Sequence, residues 1–123
     1  MYYDNIKQRV KALRAARERQ RDALRVLDNI DLTQHIADVY KPLHDDIEAT
    51  AHTVYNLPGG RGSCKSSFVS LEIVNGIMKD ATGHSNAIVF RLYGNTLRES
   101  VFSQIAWAID TLGVTHLWKS RLS

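Results

Sequence analysis

The stretch Gly59-Gly60-Arg61-Gly62-Ser63-Cys64-Lys65-Ser66 decides how this chain is read. It follows the phosphate-binding loop pattern G-x-x-x-x-G-K-[ST] at Gly59, Lys65 and Ser66, with Cys64 in place of the last glycine. Gly59, Gly60 and Gly62 allow positive φ, so successive backbone N–H groups can turn inward as an anion nest. The helix expected after the loop adds a partial positive charge aimed at a β-phosphate. Lys65 is a mobile cation for the β- and γ-phosphates, and the Ser66 hydroxyl suits Mg²⁺. Cys64 prefers negative φ, so it is expected to distort the nest slightly. Arg61 sits at the loop tip, where arginine suits a γ-phosphate or a neighbouring subunit.

Working outward, the loop lies between a β-rich segment at 52–57 (Thr53, Val54, Tyr55, Leu57) and an amphipathic helix at 65–79. Phe68, Leu71, Val74 and Met78 would be the buried stripe of that helix. Residues 87–92, AIVFRL, form a mostly apolar run suited to a buried parallel strand. A turn at Tyr93-Gly94-Asn95 follows, and Thr96 and Glu99 make a T-x-x-E capping box. The helix it opens would bury Leu97, Val101, Ile105, Ala108, Ile109 and Leu112 and stop at Gly113. Strand, loop, helix, strand, helix implies a parallel sheet with crossover helices, an α/β fold.

Upstream, residues 34–50 carry Ile36, Val39, Leu43 and Ile47 at helical spacing, with Pro42 expected to kink or split the helix. Asp45, Asp46 and Glu48 read as its solvated acidic face. Residues 4–28 read as one long helix with a heptad-like stripe of Ile6, Val10, Leu13, Leu24 and Leu27, broken by Arg17 and Gln20. Charge is concentrated there: residues 1–28 hold eight basic and four acidic side chains, and the other 95 hold eight and nine. A basic arm of this kind can follow a polyanion by counterion release.

At 123 residues, 44% hydrophobic and 24% charged, the chain has the composition of one globular domain or a piece of one. No stretch approaches the roughly 20 apolar residues that span a bilayer. The start lacks the apolar core of a secretory leader. A single cysteine cannot form an intramolecular disulfide, and the five histidines show no metal-ligand spacing. A reducing, cytoplasmic setting is expected.

The run PGGRGSCKSSFVSLEIVNGIMKD, followed by AIVFRLYGNTLRESVFSQIAWAIDTLGV, resembles the N-terminal ATPase region of tailed-phage terminase large subunits. The branch typified by defective prophages of Gram-positive bacteria is the most similar. The upstream VYKPLHDDIEATAHTVYNL also looks like that family's lead-in to the phosphate loop. The resemblance covers roughly residues 36–118.

The resemblance implies an ATP-driven motor that packages viral DNA into a procapsid in the host bacterial cytoplasm. ATP and Mg²⁺ would be its cofactors. Double-stranded DNA, the terminase small subunit and the phage portal or procapsid would be its partners, with a homo-oligomeric ring in the full-length protein and no membrane. The implied fold is the N-terminal part of a P-loop NTPase, a RecA-like parallel sheet with flanking helices; the long basic helix that precedes it is read from its own residues and lies outside the resemblance. Residues 1–31 would be the basic extension and 32–123 a partial ATPase domain.

Carried over position by position, Gly59, Gly60, Arg61, Gly62, Ser63, Cys64, Lys65, Ser66 and Ser67 take the nucleotide-binding Walker A role. Lys65 and Arg61 are the catalytic candidates, and Ser66 is the Mg²⁺ ligand. Tyr40 lies where such ATPases often hold the adenine. Arg91 and Arg98 flank the loop after the second strand, an edge that lines the ligand crevice of open α/β sheets, so they are candidates for DNA or nucleotide contact.

After Lys65 no apolar run ends in Asp-Glu, so a Walker B pair is missing, and no acidic cluster could build a two-metal nuclease site. The chain is therefore expected to be a truncated or interrupted product that binds nucleotide with little or no hydrolysis. Two alternatives stand beside this. One is a fragment of another P-loop NTPase. The other is a non-catalytic module that binds nucleic acid or a partner through the basic N-terminal helix.

Overall fold

The computed structural model describes residues 1–28, 30–80, 82–92, 94 and 97–121, with backbone only at 23–28, 97 and 98. Four α-helices carry the architecture: α1 (Tyr2–Asp28), α2 (Lys41–Glu48), α3 (Lys65–Lys79) and α4 (Ser103–Thr111). Short 3₁₀ turns lie at Leu32–Gln34, Asp38–Tyr40 and Thr115–Leu117.

The core is the seam between α3 and α4. Leu71 and Val74 of α3, Ala108 of α4, and Leu112 and Val114 just beyond it are buried together with Leu32. Leu71 and Val74 lie three residues apart, on one side of the helix, and each contributes about 1.5–3 kcal/mol when withdrawn from water. Trp118 folds back over the seam, its indole Nε1 donating to Met78 Sδ at 3.3 Å. Asp31 fixes the first 3₁₀ turn by accepting from Thr33 N at 3.0 Å, which sets Leu32 into the seam.

The helix expected over 65–79 forms over that range. Its stripe is buried at Phe68, Leu71 and Val74 and half-buried at Met78. Beyond its end, Asp80 accepts from the backbone N–H groups of Thr82 (2.9 Å) and Ser85 (2.7 Å). Hydrogen bonds from Thr82 and Ser85 hold its carboxyl well below the usual carboxylate range.

Two expectations need correction. The helix placed at 34–50 is two 3₁₀ turns followed by α2. Pro42 does not kink it but sits in the first turn of α2, where a missing N–H costs no hydrogen bond. The helix placed from 97 onward begins as a π-helix over Leu97–Phe102 and tightens into α4 only at Ser103. It ends as expected, with Gly113 at φ +70°, a left-handed stop that a side chain would resist. Thr96, half of the expected capping box, lies outside the described residues.

The larger correction concerns fold class. The α/β reading, a RecA-like parallel sheet with flanking helices, does not hold: the structure is helical, with no strand among the described residues. Segments 52–57 and 87–92 carry the composition of strands but run as irregular chain. Ile88, Phe90 and Leu92 face solvent at 76%, 85% and 89% exposure. A strand's backbone N–H and C=O groups need a neighbouring strand, and neither segment has one here.

The glycine-rich loop and its candidate site

The loop 58–64 feeds straight into the N-terminus of α3. Its backbone takes positive φ at Gly59 (+150°), Gly62 (+79°) and Cys64 (+57°). Gly59 is required twice over. Its φ excludes a side chain, and an added Cβ would lie 3.3 Å from both Lys65 Nζ and Ser63 Oγ. Cys64 is the informative departure. It occupies the left-handed region (φ +57°, ψ 16°) that its pattern position reserves for glycine. A side chain there costs about 1–2 kcal/mol, so the surrounding contacts hold the loop in shape against the preference of its own residue.

Those contacts are specific. Lys65 Nζ donates to the Gly59 carbonyl across the loop. Ser63 Oγ donates to the Gly60 carbonyl at 2.9 Å, and Phe68 N opens the helix by donating to the Cys64 carbonyl at 3.0 Å. Together residues 59–67 line a hollow of about 770 Å³, with Arg61, Cys64 and Ser66 exposed around it and Ser67 half-buried. Lys65 and Ser66 also border a second cavity of about 480 Å³ between α3, α4 and residue 91, which holds Glu99 and Gln104. The Gln104 Oε1 atom is buried there without a hydrogen-bond partner.

Beneath the loop a three-rung ladder joins α2 and Tyr40, the residue that caps it, to α3. Tyr40 stacks on Phe68 with ring centroids 4.7 Å apart and planes 10° from parallel. His44 Nδ1 lies 2.5 Å from Glu72 Oε1. Asn75 Nδ2 donates to Glu48 Oε1 at 3.0 Å, and Lys79 Nζ donates to Glu48 Oε2 at 2.8 Å. The rungs climb together along both helices, so α2 and α3 run side by side in the same direction. The top rung reaches the loop itself, because Tyr40 OH donates to the Ser63 carbonyl at 2.5 Å.

The two rungs below the top one carry the perturbed carboxyls. Burial pushes the Glu72 carboxyl up against the pull of His44. The Lys79 ammonium holds Glu48 down. His44, Glu48 and Glu72 bring ligand-type atoms within 4.8 Å of one another. A cation would compete there with bonds already made. His44 and Glu72 are in direct hydrogen-bond contact, and Lys79 already supplies Glu48 with positive charge.

The sequence candidates sort as follows. Gly59, Gly60, Arg61, Gly62, Ser63, Cys64, Lys65, Ser66 and Ser67 do come together around one hollow. Tyr40 lies beside them, one ring face against Phe68 and its hydroxyl on the loop. Arg91 is exposed and donates to Ser100 Oγ. The Arg98 side chain lies outside the described residues. Asp45, Asp46 and Glu48 are all exposed, as a solvated acidic face should be, but Glu48 also serves as a rung through Asn75 and Lys79. The ladder was the feature sequence reading missed. Its signal was present as Tyr40, His44 and Glu48 at i, i+4, i+8 and Phe68, Glu72, Asn75 and Lys79 at i, i+4, i+7, i+11.

A helical seam carrying a glycine-rich loop defines a class of surface, not a particular protein; comparison with known proteins supplies the family. The family model described as phage terminase large subunit matches residues 51–123. The terminase large subunit of Bacillus phage SPP1 is 38% identical over 87 residues, covering 71% of this chain and 19% of the relative. The chain belongs to the phage terminase large subunit family, proteins of phage DNA packaging. It spans about one fifth of the length of that curated relative. No solved structure matches it.

Proposed function

We propose that this chain is the ATP-binding portion of a terminase large subunit, the motor that packages viral DNA into the procapsid. The observation that carries the reading is the glycine-rich loop running into α3 with Lys65 and Ser66 on the rim of its hollow. The loop N–H groups and the N-terminus of α3 would receive the β-phosphate. Lys65 would leave the Gly59 carbonyl for the β- and γ-phosphates, and Ser66 would offer its hydroxyl to Mg²⁺. Arg61, exposed at the tip, would reach for the γ-phosphate or a neighbouring subunit. Mg²⁺ would supply charge neutralisation of the phosphates. The proposal is confined to nucleotide binding by this portion of the protein.

The wider setting belongs to the same proposal: double-stranded DNA, a small subunit, a portal or procapsid, a ring of copies, and the host cytoplasm. Among the described residues no helix is long and apolar enough to cross a membrane. Calorimetric titration of the chain with MgATP tests the core of the reading. Saturable binding that falls at least roughly tenfold in Lys65→Ala is expected, since the variant removes the charge on the phosphates. Binding indifferent to that substitution overturns it.

A further inference from the structure

We propose that α1 is a docking helix for a partner's amphipathic helix whose apolar stripe is bordered by acidic residues. The first observation is isolation. From Tyr2 to Asp22 every residue of α1 is exposed except Ala15, which is half-buried. At about 1.5 Å per residue the helix extends roughly 40 Å. No isolated helix gains from leaving apolar side chains such as Leu13, 65% exposed, in water.

The second observation is register. Tyr3, Ile6, Val10 and Leu13 alternate at spacings of three and four, and Arg17 and Gln20 continue the same seam. In sequence the spacing runs on to Leu24 and Leu27. This is a heptad seam with a polar centre, the arrangement that fixes partner and alignment at some cost in stability.

The third observation is charge placement, and it selects the occupant. The charged residues bordering the seam between residues 3 and 21 are Lys7, Arg9, Arg14 and Arg21, all basic. Asp4, Glu18 and Asp22 fall on the outer face. A second copy of this chain is disfavoured in either direction. Parallel pairing sets Arg9 against Arg14 and Arg17 against itself. Antiparallel pairing sets Arg14 against Arg14 and Lys7 against Arg21. Phosphates could meet the basic borders, but a nucleic-acid backbone gives the apolar seam nothing to pack against. A helix with apolar seam residues, glutamate or aspartate borders and an acidic residue opposite Arg17 satisfies all three features.

The test uses the full chain and three probes. The first is a synthetic four-heptad peptide with the complementary apolar seam and glutamate at every border position. The second is the same peptide with lysine at those positions. The third is duplex DNA of random sequence. The glutamate peptide is expected to bind at least roughly tenfold tighter than the lysine peptide and to weaken as salt rises. The paired substitution Arg14→Glu with Arg21→Glu should reverse that preference, and Leu13→Asp should abolish binding of both. All three positions are exposed, so circular dichroism should report the same helical content. Equal binding of both peptides, a chain that sediments as a dimer at the concentrations used, or tighter capture of duplex than of the glutamate peptide would each overturn the proposal. None of these readouts depends on nucleotide binding at the loop.

Discussion

Segment 65–79 and segment 87–92 are both rich in apolar residues, yet they end in opposite environments. In the first, Leu71 and Val74 have no solvent exposure; in the second, Ile88, Phe90 and Leu92 stand in water. The difference lies in where each segment finds partners for its backbone. A helix closes its N–H and C=O groups within fifteen residues and has only to bury a stripe, which α4 and Leu32 cover. A strand closes nothing by itself. Apolar composition therefore sets an appetite for burial, and the local hydrogen-bond supply decides which segment satisfies it.

The strongest way to break this comparison is to truncate one residue from each side of it. Leu71→Ala empties part of the α3–α4 seam and should lower stability by about 2–5 kcal/mol. Phe90→Ala removes a larger side chain and should change stability by no more than about 0.5 kcal/mol, because that ring is already in water. Urea midpoints of the two variants measure both. A Phe90→Ala loss close to that of Leu71→Ala would mean that the segment is buried in solution and that the contrast is false.

The loop offers two smaller effects on the ordered side. Tyr40→Phe keeps the stack on Phe68 but removes the hydroxyl that donates to the Ser63 carbonyl, a loss of about 0.5–1.5 kcal/mol. If Tyr40 serves the loop, affinities for ATP and for inorganic triphosphate should fall together, by a factor of about 2 to 10. A fall confined to ATP would return the residue to contact with the base. Cys64→Gly should act in the opposite direction. It removes the left-handed strain at φ +57° and should stabilise the chain by about 1 kcal/mol, whereas Cys64→Val should destabilise it. Matched denaturation curves separate the two signs.

These effects also explain what was legible beforehand. The limits of α3, the stop at Gly113 and the gathering of residues 59–67 are local events, written in spacing and in φ preference. The sheet was not local: Val54, Ile88 and Phe90 have strand-like side chains, and only a neighbour could have made them strands. The ladder failed to show for a related reason. His44 and Glu72 are 28 residues apart, and each read alone is a polar residue on a helix. Pro42 was misread because a proline inside an apolar pattern and a proline in a first turn look alike until the helix start is known. Cys64 posed a different problem. Its φ preference was read correctly, but the loop overruled it through the contacts of Lys65, Ser63 and Tyr40.

The smallest effect is also the most diagnostic of the ladder, because its two carboxyls should answer acid with opposite signs. Hydrogen bonding to Lys79 holds Glu48 below its unfolded range. Its contribution is complete above the ordinary carboxylate range and is lost as pH falls through the lowered folded value. Glu48 is partly exposed, so that contribution is within about 1 kcal/mol. Burial raises Glu72, so the folded chain keeps a proton that the unfolded chain has released. Stability from this group falls as pH rises between the unfolded and folded values, and returns on acidification. Wild type should therefore gain on Glu72→Gln as pH drops from neutrality into the carboxylate range, and should lose ground to Glu48→Gln below it. Urea midpoints across a pH series read both differences. Two curves of the same sign would mean that Glu72 is solvated, and that the rung between α2 and α3 is open where the fold needs it closed.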